Sequence, residues 1–162
     1  MTDSLTGISN RLAFEITLEE TIALMEKEKR KCSALLIDID HFKRVNDDYD
    51  HFVGDAVIRH ITSEIKRNIR ESDFFGRWGG EEFIVLLRDA GIEDAYRQAE
   101  RLRHAVKDNP YIHEGDPILV TISIGIAQYR HGEGEDKLLS RTDKALYLAK
   151  ENGRDRTERV EN

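Results

Sequence analysis

Residues 74–88 read FFGRWGGEEFIVLLR: two apolar runs separated by Gly79 and Gly80, with Glu81 and Glu82 directly after them. The spacing predicts a two-residue β-hairpin whose glycines take up positive φ, and it sets a pair of carboxylates at the start of the returning strand.

On the N-terminal side of this hairpin, Val53, Val57, Ile61, Ile65 and Ile69 keep one face of a helix apolar. Before that helix, HFKRVNDDYDHFVGD reads as a polar loop, and SALLID as a buried strand ending at Asp38. Phe14, Leu18, Ile22 and Met25 recur at helical spacing behind Ser9, a suitable cap, so an amphipathic helix opens the chain. On the C-terminal side, Ile92, Ala95, Ala99, Leu102 and Val106 mark a helix. Ile118, Val120, Ile122, Ile124 and Ile126 then alternate with Leu119, Thr121, Ser123 and Gly125, which predicts a strand buried on one face. A last helix around Leu138–Glu151 is expected to stop at Gly153. After the entry helix the order is strand, helix, strand, strand, helix, strand, the split βαβ plan of a ferredoxin-like α+β fold with a mainly antiparallel sheet flanked by helices.

The chain has 162 residues, 39% of them hydrophobic, enough for one core and one domain over 1–162. Its net charge of -7 is spread without a basic stripe, which excludes a polynucleotide surface, although a small phosphorylated ligand needs only a few local cations. Cys32 stands alone, no leader precedes the first helix, and FIVLL is far shorter than the roughly 18 apolar residues of a membrane span. The expectation is a soluble, cytoplasmic protein with no membrane span.

In the split βαβ plan the first and third strands lie side by side and antiparallel, so Asp38 at the end of one meets Glu81 and Glu82 at the start of the other, with Asp40 nearby. Three such carboxylates repel unless a cation joins them. Mg²⁺ suits this donor set, with Mn²⁺ an alternative, while the lack of His and Cys ligand spacing disfavours zinc. Taken alone, GGEE reads equally well as a solvated hairpin tip; its meeting with Asp38 favours metal.

With these residues in place the chain resembles the GGDEF family of diguanylate cyclases, from Asp3 to Arg154. The motifs that carry the likeness are DSLTGISNR, DIDHFKRVND followed by GD, RWGGEEF, VTISIGIA and DKALYLAKENGR, in that order. The resemblance implies a nucleotidyl-cyclase-type sheet and the conversion of two GTP into cyclic di-GMP and two pyrophosphates, one nucleotide on each half of a transient homodimer. It implies that Asp38, Glu81, Glu82 and the Ile39 carbonyl bind Mg²⁺, and that Glu81 helps deprotonate the attacking 3′-hydroxyl. Asn46 and Asp55 match the family's guanine readers, Phe42 and Lys43 its phosphate loop, and Lys150 and Arg154 its phosphate cations. On the residues alone Asp55 is a helix-start carboxylate, Lys43 a surface lysine, and Lys150 with Arg154 equally a complement to a helix C-terminus. Helical spacing would put the last two on one side.

Arg70–Asp73, RESD, matches the family's RxxD product-inhibition site, with Arg101 completing it from a neighbouring helix. A lone RxxD is by default a surface ion pair. The intervening strand sets it roughly 17 Å from the glycine turn, outside the catalytic centre. The chain departs from the family pattern at Asp50, where glycine is usual and a left-handed backbone is a candidate, and mildly at Trp78 and Glu81. The histidines share no metal spacing, and Phe14 and Tyr147 read as packing residues. A catalytically silent module that senses GTP or cyclic di-GMP is the alternative reading, and this chain carries no sensory domain.

Overall fold

The computed structural model describes residues 1–160, in which α1 (Arg11–Glu28) leads into β1 (Cys32–Ile39), α2 (Phe42–Asp48) and α3 (His51–Arg67). There follow β2 (Phe74–Arg77), β3 (Glu82–Arg88), α4 (Ile92–Asp108), β4 (Tyr111–His113), β5 (Asp116–Ile118), β6 (Ile122–Gln128), α5 (Glu135–Glu151) and β7 (Thr157–Arg159). The main sheet has the order β2-β3-β1-β6-β7, antiparallel except where β7 runs beside β6, and β4 pairs with β5 apart from it. The split βαβ plan is present, with β1 and β3 adjacent and antiparallel.

Side-chain alternation along β1 explains the layering. Every residue of β1 is buried, because both faces of the sheet are covered. Leu35, Ile37 and Ile39 join one apolar layer with Val57, Ile61, Ala99 and Leu102 of α3 and α4. Cys32, Ala34 and Leu36 join the other with Phe14, Leu18 and Leu146 of α1 and α5. Asp38 has the parity of the second set, and its rung partner Glu82 has the parity of Ile84 and Leu86, so both carboxylates belong to the face that α5 covers.

That cover is tight. A Cβ on Gly125 would fall 2.5 Å from the Thr142 carbonyl oxygen and 2.7 Å from Leu146 Cα, so only glycine lets the backbone of α5 settle onto β6.

Several local expectations are corrected. Gly79 and Gly80 are not among the positive-φ residues, and the connection is wider than two residues: the last rung is Arg77 with Phe83, and the Trp78 and Gly79 amides both donate to the Glu82 carbonyl, at 2.8 and 3.2 Å. The turn is held from outside, by the Arg77 guanidinium donating to the Gly79 and Gly80 carbonyls (3.3 and 2.7 Å) while it pairs with Asp3 at 3.2 Å. The polar stretch after β1 is not a loop but α2, which Phe42 and Val45 pin to the core. Asp50 has an extended backbone (φ -164°), not a left-handed one, and caps α3 by accepting from the Val53 amide at 2.9 Å. The cap of α1 is Asn10 rather than Ser9, which bridges instead to Thr2 and Gly76.

The alternating run 118–126 is divided between β5 and β6, and β6 is buried on both faces, because α4 covers one side and α5 the other, where Ser123 and Gly125 are small enough to admit it. Tyr147 is exposed, so only Phe14 of that pair is a packing residue. Gly153 ends α5 with φ 118°, as expected. No helix among the described residues is long and apolar enough to cross a membrane.

Candidate active site

Asp38 faces Glu82 across the β1–β3 rung, and on the next residue the Ile39 amide donates to the Glu81 carbonyl at 3.2 Å. Asp38 is only 7% exposed, and the Lys150 ammonium on α5 donates to its Oδ2. Burial pushes the Asp38 carboxyl above its ordinary range in spite of Lys150, with Asp40 adding to the rise and Arg154 opposing it. Glu82 is also pushed up, by burial first and then by the Asp38 charge; Asp143 and Glu81 add to this, and Lys150 opposes it. The edge of the sheet thus gathers more negative charge than one lysine offsets.

The expected gathering of acids is present in part. Asp38 and Glu82 share a rung and the backbone brings Glu81 beside Ile39, but among the described residues no three His, Cys, Asp or Glu side chains already form a metal cage. Asp40 is committed elsewhere: its carboxylate accepts from Thr121 Oγ1 at 2.7 Å, Ser123 Oγ at 2.6 Å and the Asp155 amide at 3.0 Å. The donor set that remains, two hard carboxylates raised first by burial and a lysine already drawn to one of them, fits a small divalent cation.

Phe42 is buried at the start of α2, whereas Lys43 and Asn46 are exposed and Asp55 is half-buried in the first turns of α3. Asn46 packs against Gly54, the residue before Asp55: a Cβ there would fall 2.0 Å from Asn46 Oδ1 and 3.2 Å from Phe42 Cζ. Lys150 and Arg154 do not share a helix face as expected: α5 ends at Glu151, and Arg154 lies beyond Gly153 with a left-handed backbone (φ 64°). Both cations nevertheless act on Asp38.

At the other end of the β2–β3 hairpin, Arg70, Asp73 and Arg101 line one cleft of about 530 Å³, joined by Arg67, Arg97 and Gln98. Asp73 is buried and accepts from the Arg70 amide at 2.9 Å and from Arg70 Nη2 at 3.5 Å. The same Nη2 reaches the Arg88 carbonyl at 3.2 Å, which holds the arginine at the rim of the cleft.

Sequence reasoning passed over Gly54, Gly125 and the Arg77 clamp. The first two stood within quoted motifs, GD and SIGIA, where a glycine at a core-facing position signals close backbone approach.

The chain matches the family described as Diguanylate cyclase, GGDEF domain, over residues 1–156. It is 41% identical over 158 residues to diguanylate cyclase DgcP of Pseudomonas aeruginosa, a match covering 98% of this chain and 24% of that protein. The curated relatives it matches are longer, the chain spanning 24% to 43% of the length of three of them. Among solved structures, the GGDEF domain of PA1120 (TpbB or YfiN) from Pseudomonas aeruginosa has a TM-score of 0.94 at 35% identity, covering 99% of this chain and 95% of that one. The coiled coil and GGDEF domain of DgcB from Caulobacter crescentus, in complex with c-di-GMP, has a TM-score of 0.93 at 31% identity, covering 98% and 85%. A likeness of sequence and fold that spans nearly the whole chain shows that the chain belongs to the GGDEF domain family of diguanylate cyclases.

Proposed function

We propose that residues 1–162 form a single catalytic domain that condenses two GTP molecules into cyclic di-GMP and two pyrophosphates. The observation that carries this reading is the Asp38–Glu82 rung, two carboxylates raised by burial and proximity at a sheet edge and facing the Lys150 ammonium. In the reaction the 3′-oxygen of each GTP attacks the α-phosphorus of the other, the bond to the β-phosphate bridge breaks, and the 3′-hydroxyl proton passes to a base, for which Glu81 is placed at the turn. Asp38, Glu82, Glu81 and the Ile39 carbonyl would hold Mg²⁺, or Mn²⁺ in its stead, which when bound neutralises charge on the α-phosphate and on the departing pyrophosphate. Lys150 and Arg154 would meet phosphate, while Phe42 and Lys43 would line the triphosphate on the α2 side.

Asn46 and Asp55 read the base, since a carboxylate accepts from both the N1–H and the N2–H of guanine, donors that adenine lacks. Because one site supplies only one nucleotide, turnover requires two copies of the domain to meet face to face. Arg70, Asp73 and Arg101 take up cyclic di-GMP as a product inhibitor: guanidinium groups grip phosphate in a fork and stack on guanine, and a carboxylate accepts from its edge.

The test is incubation of the chain with GTP and Mg²⁺ followed by identification of the products. Cyclic di-GMP with pyrophosphate is the expected result, formed at a rate that rises more than linearly with protein concentration. GTP bound and recovered unchanged would replace this reading with that of a sensing module.

A further inference from the structure

Arg154 and Asp155 are consecutive non-glycine residues with left-handed backbones, φ 64° and 48°, a conformation that L-residues hold only where their surroundings compel it. Three anchors do so. The Arg154 amide donates to the Ala149 carbonyl of α5 at 2.9 Å. The Asp155 amide donates to Asp40, itself fixed by Thr121 and Ser123 of the sheet. The Asp155 carboxylate accepts from Arg103 Nη1 at 2.8 Å and Lys107 Nζ at 2.6 Å, both on α4. Arg103 is 13% exposed and is forked onto Glu100 at 2.7 and 2.8 Å, and Glu100 in turn accepts from Thr157 Oγ1 at 2.9 Å. Burial alone would raise the Asp155 carboxyl, but the hydrogen bonds from Lys107 and Arg103 outweigh it and hold it below its ordinary range, so the clasp is ionised at neutral pH.

The clasp secures the backbone of the loop on both sides of Arg154, whose carbonyl accepts from Arg156 Nε at 3.2 Å and whose guanidinium is left without a carboxylate hydrogen-bond partner among the described residues. The Arg154 charge acts on Asp38. A long cation carried on a loop loses binding energy to conformational freedom unless its base is held, and here the base is held by Ala149, Asp40, Arg103 and Lys107.

We propose that Asp155, with Arg103 and Lys107 of α4, is a positioning group for substrate: it aims Arg154 at the triphosphate without touching the nucleotide, so α4 sets GTP affinity through this clasp. The inference rests on the proposed reading of Arg154 as a phosphate cation.

The test is a double-mutant cycle on the full chain, with GTP affinity measured calorimetrically in Ca²⁺ to prevent turnover and the melting temperature recorded for each variant. Arg154→Ala is expected to weaken GTP binding about tenfold, the loss of one charge-assisted contact. Asp155→Ala should cost about three- to tenfold, yet add less than twofold when Arg154 is already alanine. Arg103→Lys should recover at least half of what Arg103→Ala loses, and Lys107→Ala, which removes the more exposed cation, should cost about twofold. An Asp155→Ala protein that melts earlier but binds GTP as before would overturn the inference, as would losses that multiply fully in the double variant. If Arg154→Ala itself leaves GTP affinity unchanged, the assignment of Arg154 fails and the clasp's role fails with it. If the unaltered chain binds no GTP, the proposed function falls as a whole.

Discussion

The two ends of the β2–β3 hairpin are chemical opposites. At the turn end, Asp38 and Glu82 are drawn out of water beside one another, and Asp40, Glu81 and Asp143 add to the negative charge that Lys150 and Arg154 oppose. At the other end, Arg67, Arg70, Arg97 and Arg101 line an open cleft together with Asp73, Asp89 and Asp94; Arg67 pairs with Glu64, Arg70 with Asp73 and Arg97 with Asp94, and Arg101 has no carboxylate partner among the described residues. Acids predominate at the first end and arginines at the second. The contrast teaches that one hairpin can carry regions of opposite charge balance when the length of its strands keeps their fields apart.

The sharpest way to break the comparison is Asp38→Asn. It should lower cyclic di-GMP formation at least about 100-fold, or about 2.7 kcal/mol in the barrier, while changing the affinity of the cleft for cyclic di-GMP by less than about twofold. Product analysis and calorimetry read the two effects separately, and a parallel loss at the cleft would show that the ends are not independent.

Gly125→Ala should destabilise the fold by about 2 kcal/mol in urea unfolding, since the added methyl meets the α5 backbone rather than a side chain that could turn aside. The active edge depends on this seating through Lys150, and the cleft does not, so cyclic di-GMP binding should survive in the folded fraction.

Arg70→Ala should weaken cyclic di-GMP binding about tenfold, about 1.4 kcal/mol, and leave the initial rate without product within about twofold. Product inhibition unchanged in this variant would remove the regulatory role from the cleft.

The smallest effect is one of pH. A carboxyl raised in the folded state adds stability only while protonated, fully below its ordinary value of 4.5 for Glu82, and loses that contribution as pH rises through the raised value. In metal-free solution Glu82→Gln should therefore melt no earlier than the unaltered chain at neutral pH, with the advantage shrinking as the pH is lowered towards 4.5. Added Mg²⁺ should reverse the order, because it favours the ionised glutamate. Parallel melting curves across this range would argue that burial and the Asp38 charge do not raise the Glu82 carboxyl.

Much of this arrangement was legible beforehand. Period-3.6 stripes in α1, α3 and α4 and the apolar run of β1 are local signals, and each has its buried face, although α3 ends at Arg67, before the Ile69 expected in its stripe. Arg70, Asp73 and Arg101, expected to share one place at the far end of the hairpin, line one cleft. Other features left no local trace. The strands β4, β5 and β7 are three residues each, too short for a period to register. The positive-φ hairpin failed because Arg77 ties the turn from outside, a contact that no propensity encodes. Asp50 was read as a misplaced glycine because its capping bond depends on where α3 begins.

By itself the amino-acid order settled which residues share a face: alternation along β1 puts Asp38 with Ala34 and Leu36, and the pairing plan sets Glu82 opposite it. It could not settle what each carboxylate meets. Asp38 and Lys150 lie far apart in the chain, and Asp40, two residues from Asp38, is turned instead to Thr121, Ser123 and Asp155. The pairing of β6 with β1 brings Thr121 and Ser123 to Asp40, and α5, seated against Gly125, brings Lys150 to Asp38, because alternation and helical period act within a few residues, whereas the meeting of distant groups is decided only when strands pair and layers close on one another.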